Sequence, residues 1–467
     1  MSRKKKPTNP LTTATPETAL SRGRVIWPYV VLGLLAFAVY ANSLANGFVV
    51  DDNGQILRNP LVTDYHRIPE IFSEDVWSFS HPELGAQSNY YRPVHTLLSM
   101  ALYYIAGFNA FFFHLAMVLI NVANTLLVFR IAQYFFRRLP QPRIVAMIAA
   151  ALFAVHPIHD EAVAWIAVMP DVFITMLALT MLALFIHHEA SPRGLQLLPY
   201  APIFLVAMLT KETSATILPL LAAFEWICLG RSVRDILKNI AFYALLVATF
   251  CVYLAMRLHA LGSLAPAQGG HFSIHGAQLA LSMIVLMGQY FWRLLVPTNL
   301  NYFHVFEPTR SVNLAVIVSA LAIIGVVAAI FKLRRTQPLI AYGLFFIVVP
   351  LLPVMNINGV GENVFTERYL YLPSVGFVWI AALAWEWLYE RNRNAAWTVF
   401  TVVAVLGSYM AIVRTADWRS DFTINMVTAQ QSPQVAVVHL NLGAFLGQQG
   451  HIAEGIAECR KAIARLA

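Results

Sequence analysis

Residues 143–188 read RIVAMIAAALFAVHPIHDEAVAWIAVMPDVFITMLALTMLALFIHH. Two apolar runs, 143–156 and 170–188, flank a corner that carries His156, His159, Asp160 and Glu161. Ionisable side chains are costly inside hydrocarbon, so the corner belongs at a membrane surface and the runs belong in the bilayer. Backbone groups in lipid must be satisfied within the segment, which makes each run a helix.

The rest of the chain repeats this pattern. Of 467 residues, 58% are hydrophobic and 12% are charged, with a mean hydropathy of +0.63. Soluble domains carry about 25% charged residues. The composition therefore reads as an all-α polytopic membrane protein. The three cysteines, Cys228, Cys251 and Cys459, form no CxxC pair and no disulfide framework. A net charge of +8 would suit nucleic acid, but the basic residues sit beside apolar runs and no nucleic-acid partner is expected.

Basic residues near span ends mark the cytoplasmic side. The clusters are Arg3 to Arg24, Arg137/Arg138/Arg143, Arg231/Arg234/Lys238, Lys332/Arg334/Arg335 and Arg391/Arg393. Placing all five inside gives about eleven spans, at 26–45, 109–136, 143–156, 170–188, 198–210, 213–229, 239–257, 312–331, 338–355, 369–389 and 395–414. Residues 1–25 become a disordered basic cytoplasmic arm, and 26–414 the transmembrane domain. Two outer loops, 46–108 and 258–311, hold interfacial helices at Pro93 to Ala106 and Ala277 to Val296. A thirteen-helix rival moves Arg137 and Arg138 outside and breaks the charge rule.

Beyond Arg414 the text changes again. Leu442-Gly443, Leu446, Gly450, Gly455 and Ala462 fall at tetratricopeptide (TPR) spacing, where small residues let paired helices approach. Residues 415–467 are expected to form a TPR-like helical hairpin outside the membrane, a short piece of an array able to recruit a protein.

Four groups of chemistry-bearing residues fall on the outer side. Asp51-Asp52 follows span one; neighbouring carboxylates repel, and one can be kept basic enough to take a proton, while a capped turn is the plainer alternative. The corner of His156, His159, Asp160 and Glu161 suits orientation or capping, and lacks the third His or Cys of a metal site. Lys211-Glu212 lies between two spans, placed either to meet a lipid phosphate or to pair internally. Glu367-Arg368-Tyr369 offers a guanidinium for phosphate, or a bridge between loops.

These residues fall within longer motifs. Phe48-Val-Val-Asp-Asp52, Asn59-Pro60, Tyr91-Arg-Pro93, His114, Ala154-Val-His-Pro-Ile-His-Asp-Glu-Ala-Val163, Lys211-Glu212 and Glu367-Arg-Tyr-Leu-Tyr-Leu-Pro-Ser374 resemble, in order, the transmembrane-and-TPR protein O-mannosyltransferases. The resemblance runs over about 40–467 and extends to bacterial membrane proteins of the same layout. It implies a GT-C-type glycosyltransferase fold, a polyprenyl-phosphate sugar donor, and an essential carboxylate in the first outer loop, matching Asp51 or Asp52. That family follows its His-Pro motif with Gly-Arg-Ala-Asp; here Val168-Met-Pro-Asp171 keeps Asp171 and lacks the arginine. Arg92, Lys211 and Arg368 become the cations expected at the donor phosphate.

The expected activity is inverting transfer of mannose or another hexose to an acceptor hydroxyl, with an acceptor protein or partner met through the TPR segment. No cofactor is required by that chemistry, and a divalent metal is not indicated. The expected location is a bacterial inner membrane with the site and C-terminus periplasmic, or the endoplasmic reticulum membrane in a eukaryote. Two alternatives are a lipid-linked sugar flippase, which would carry charge at the bilayer midplane and show matched halves, and a non-catalytic membrane-anchored TPR scaffold.

Overall fold

The computed structural model describes residues 22–80, 88–263, 272–359, 361 and 363–466. The basic arm before residue 22, and parts of both outer loops, lie outside the described residues. No β-strand occurs among those described. The longer helices are α1 (Arg22–Tyr40), α2 (Pro93–Ala106), α3 (Ala110–Phe135), α4 (Pro142–Ala154), α5 (Met169–His187), α6 (Tyr200–Thr210), α7 (Ile217–Ala223) and α8 (Ile240–Leu261). There follow α9 (Gly276–Leu295), α10 (Leu314–Leu333), α11 (Pro338–Val348), α12 (Pro373–Arg391) and α13 (Arg393–Thr415). The tail holds α14 (Asp421–Gln431), α15 (Ala436–Gln448) and α16 (Ile452–Leu466).

All eleven expected apolar runs are helical. Six helical stretches are long and apolar enough to cross a membrane, and a seventh is the pair Pro142–Ala154 and Pro157–Ala164, bent by 48°. The bend falls at His156-Pro157, where proline removes a donor and ends the regular ladder. Helix α7 is short because the chain tightens over 212–216 before it and widens over 224–228 after it.

Helix α3 is the centre, packed on α1, α4 and α5, while α4 packs on α12 and α11 on α12. The last contact is close because both partners are glycine: a Cβ at Gly376 would stand 2.3 Å from the Gly343 carbonyl oxygen. Helices α10 and α13 lie at the rim, with only 17% of each apolar window buried. Such faces suit lipid rather than protein.

Both ends of α9 are tied to one face of the bundle. Ile274 N donates to Asn358 Oδ1 at 3.2 Å, and Asn301 N to Glu367 Oε1 at 2.8 Å. The tail helices α15 and α16 form an antiparallel hairpin whose small residues meet. A Cβ at Gly443 would stand 2.9 Å from the Gly455 carbonyl oxygen, and one at Gly455 2.8 Å from that of Gly443. Leu442, Leu446 and Ala462 are buried there, and Gly450 makes the left-handed turn between the helices at φ +86°.

Candidate functional site

The site lies where the chain leaves α1, α4, α6 and α13 and where it enters α12. Asp51 and Asp52 open a short helical stretch, 51–57, that follows the turn after α1, and the two carboxylates have different surroundings. Asp52 is fully buried; its Oδ2 accepts from Val49 N at 3.0 Å and its Oδ1 from Ala167 N at 2.6 Å. It ties the first loop to the segment before α5. Asp51 is half-buried, makes no hydrogen bond among the described residues, and faces the charge of Arg368. Desolvation pushes the Asp51 carboxyl above its ordinary value, and the Arg368 charge pulls it back. Burial also pushes Asp52 up, well above the usual range, against the pull of its two backbone donors.

Val50, just before the pair, has φ +50°. A β-branched residue rarely adopts that conformation. Two hydrogen bonds hold the turn from outside the loop: Asp421 Oδ1 accepts from Val50 N at 2.6 Å, and Asp421 Oδ2 accepts from Asn53 Nδ2 at 2.8 Å.

Three cations lie near one another, each against a carboxylate, and the charge of one of them, Arg368, reaches Asp51. Lys211 Nζ lies 2.6 Å from Asp171 Oδ1 and 4.7 Å from the centre of the Tyr369 ring. Arg92 Nη2 lies 2.9 Å from Glu212 Oε1, and its guanidinium covers Tyr90 at 4.3 Å. Arg368 pairs with Glu161, whose Oε2 also accepts from Arg368 N at 3.0 Å, and its guanidinium covers Trp165 at 5.2 Å and Tyr369 at 5.3 Å. Burial drives the Lys211 amine down to about 8, although Asp171 pulls it up. Burial raises the Glu212 carboxyl, but Arg92 outweighs that and holds it at about 2. A small cleft between these groups is lined by Asp171, Arg368, Tyr369, Thr213, Thr216 and Leu372, among others.

The expected internal partner of Lys211 was its neighbour Glu212. The pairing is crossed instead: Lys211 meets Asp171 and Glu212 meets Arg92, because adjacent side chains at the start of a tight turn point apart. In place of the arginine expected before Asp171 stands Met169, packed in the bundle core. The cation beside Asp171 arrives from α6 through Lys211.

Other expected site residues are held elsewhere. His156 accepts from Ile158 N at 3.3 Å and caps the turn after α4. His159 Nε2 is 2.8 Å from Ser374 Oγ, and its ring packs on Phe153 and Tyr371. Asp160 accepts from Trp418 Nε1 at 2.9 Å and Thr415 Oγ1 at 3.2 Å, fastening the end of α13. Glu367 accepts from Asn301 N and pairs with His304 at 2.8 Å. His156 thus holds its own turn, while His159, Asp160 and Glu367 join segments distant in the chain. The Tyr-Leu-Pro-Ser motif does the same: Tyr371 OH donates to Asn121 Oδ1 at 2.7 Å and accepts from Asn124 Nδ2 at 3.1 Å, pinning α12 to α3.

Sequence reasoning missed Trp165, Tyr302, Trp418 and Asp421. Trp165 and Trp418 stack at 5.4 Å with Tyr302 edge-on to both, and this cluster lies between Asp51, Arg368 and the tail. Trp165 Nε1 is buried without a hydrogen-bond partner, an unusual state for a buried donor. The Trp418-Arg-Ser-Asp421 run was legible as a helix start, since Ser420 caps α14, but nothing local pointed it at residue 50. Among the described residues, no three His, Cys, Asp or Glu side chains gather as metal ligands.

An all-helical, multi-pass membrane protein with an unbonded acid near a group of paired cations is the class that fold and site define. Over nine-tenths of its length the chain is similar to named protein O-mannosyl-transferases. It is 24% identical to protein O-mannosyl-transferase F38B6.6 of Caenorhabditis elegans, over 92% of this chain and 61% of that protein. It is 26% identical to human protein O-mannosyl-transferase TMTC4, over 91% of this chain and 64% of that one. For human protein O-mannosyl-transferase TMTC1 the identity is 27%, over 95% and 56%. The chain thus spans about six-tenths of the length of the curated relatives it matches. No protein-family model matches it. Among solved structures, ArnT from Cupriavidus metallidurans in the apo state covers 95% of this chain and 76% of its own at 14% identity, with a TM-score of 0.44. A likeness that loose carries no functional argument.

Proposed function

We propose that this protein is a membrane glycosyltransferase that moves mannose, or another hexose, from a polyprenyl-phosphate carrier to a hydroxyl of a protein acceptor. The observation that carries the reading is the unequal acidic pair: Asp52 is occupied by two backbone N–H groups, whereas Asp51 is half-buried, unbonded and within reach of the Arg368 charge. The names of the relatives supply the sugar and the acceptor class.

Asp51 accepts the proton of the acceptor hydroxyl as that oxygen attacks the anomeric carbon. The bond between that carbon and the phosphate oxygen breaks, and its electron pair leaves with the lipid phosphate. The sugar configuration inverts in this single displacement. A raised carboxyl pKa brings the base closer to the working pH. The departing phosphate gains charge as it leaves, and Lys211, Arg92 and Arg368 stabilise it where little water enters. Each cation already faces a carboxylate, so the cleft as built is near neutral, and the phosphate binds by sharing donors. The guanidinium forks of Arg92 and Arg368 have N–H groups to spare for that.

The charge rule, which puts the basic clusters on the cytoplasmic side, supports an extracytoplasmic position for this site. The hairpin α15–α16 carries the TPR pattern of small residues and belongs on the same side, where it would meet the acceptor.

The test is a membrane assay of sugar transfer from a panel of polyprenyl-phosphate monosaccharides, comparing wild type with Asp51→Asn and Asp52→Asn. Loss of transfer in Asp51→Asn at unchanged expression is the expected result. Normal transfer in that variant, or none from any donor in wild type, would remove the reading.

A further inference from the structure

The acidic loop and the tail are joined more closely than a linker requires. Asn42 Nδ2 donates to Ile412 O at 2.8 Å, Asn46 Nδ2 to Thr415 O at 3.0 Å, and Gly47 N to Arg419 O at 3.1 Å. Asp421, the first residue of α14, completes the series with its two bonds to Val50 N and Asn53 Nδ2. The earlier contacts join the rising chain after α1 to the end of α13. The Asp421 contact differs in kind, because it grips the one residue of the loop with a left-handed backbone, Val50 at φ +50°.

Valine resists that conformation, and glycine adopts it freely. Released from Asp421, Val50 would relax towards negative φ. The peptide leading into Asp51 would then rotate, while Asp52 stays fixed by Val49 N and Ala167 N. Taking Asp51 as the base, we propose that Asp421 is a positioning residue: its carboxylate clamps Val50 in the left-handed turn that sets Asp51 opposite Arg368. The extramembrane tail thereby takes part in the reaction without touching substrate, and anything that moves α14 moves the base.

The experiment uses the full chain in membranes with polyprenyl-phosphate mannose as donor. Asp421→Ala should lower kcat by about 10- to 100-fold, the scale of a misplaced reacting group, with the donor KM unchanged. Val50→Gly added to Asp421→Ala should bring the rate back towards that of Val50→Gly alone, because glycine enters the left-handed turn without steric cost. A wild-type rate in Asp421→Ala overturns the proposal. So does a double variant as slow as Asp421→Ala, which would mean that Asp421 merely supports the fold or acts on substrate. Asp51→Asn separates this proposal from the reading beneath it. Loss of transfer there, beside a normal rate in Asp421→Ala, sinks the clamp and keeps the base. Normal transfer in Asp51→Asn sinks both.

Discussion

Two carboxylates at opposite faces of the bundle show what removing an acid from water can mean. Glu225, after α7, is fully buried and receives Arg231 Nη1 at 2.7 Å, Tyr243 OH at 2.6 Å and Asn239 Nδ2 at 3.0 and 3.1 Å. Arg231 in turn holds the Glu189 and Ala190 carbonyls, so the cluster staples three connections together. Asp51 is half-buried at the other face and receives no such donors among the described residues. A closed carboxylate of the first kind is architecture; an open one of the second kind has its lone pairs ready for a reaction. Desolvation cost alone does not separate the two, and the census of donors does.

The sharpest way to break this contrast is to neutralise both acids. Asp51→Asn should lower transfer by at least about 10²-fold, the usual weight of a general base, while the thermal midpoint stays put. Glu225→Gln should do the reverse, leaving transfer per folded molecule intact and costing roughly 3 kcal/mol of stability by stranding Arg231. Thermal scanning and a transfer assay on the same preparations settle the matter, and the contrast fails if both variants lose the same property.

The next largest effect concerns Lys211. Its amine is cationic below about pH 8 and neutral above it, so the stabilisation it gives a departing phosphate is present below that value and fades as pH rises through it. Wild-type kcat should therefore show an alkaline limb near pH 8, and Lys211→Arg should carry the limb to higher pH, because a guanidinium stays charged. Lys211→Met should cost about 10²-fold at pH 7, comparable with loss of one charge-stabilising donor. An unmoved alkaline limb in Lys211→Arg would take Lys211 out of the reaction.

On the acid side, the Glu212 carboxyl is held at about 2 by Arg92, so that pair stays intact throughout any practical assay. An acid limb above the ordinary carboxylate range should then follow Asp51 and vanish from the residual activity of Asp51→Asn. The smallest effect is expected in the tail. Gly443→Val would press side-chain carbon against the Gly455 carbonyl and Cys459, costing about 1–3 kcal/mol of local stability. Faster amide exchange confined to 436–466, with donor turnover unchanged, is the expected pattern.

The apolar runs and the Gly443/Gly455 hairpin were legible in the sequence, because each depends on spacing within about twenty residues. The site was legible in its residue types and illegible in its pairings. Asp171 meets Lys211 across 40 residues, Glu161 meets Arg368 across 207, and Val50 meets Asp421 across 371. No periodicity encodes such pairs. The His-Pro-Ile-His signature stood out in the text and proved to hold the bundle together through Ser374 and a capped turn.

The tie between Val50 and Asp421 also sets an order of events during synthesis. The first loop leaves the ribosome some 371 positions before the carboxylate that locks it. At about 5–20 residues per second, the interval is roughly 20 to 70 s. Throughout it, α1 and the acidic loop wait in an unlocked state, and only arrival of the segment after α13 closes the turn. If Asp51 is the base and Asp421 its clamp, a nascent chain stalled before residue 421 would carry the cations and lack a set base, so that competence would come only with the segment after α13.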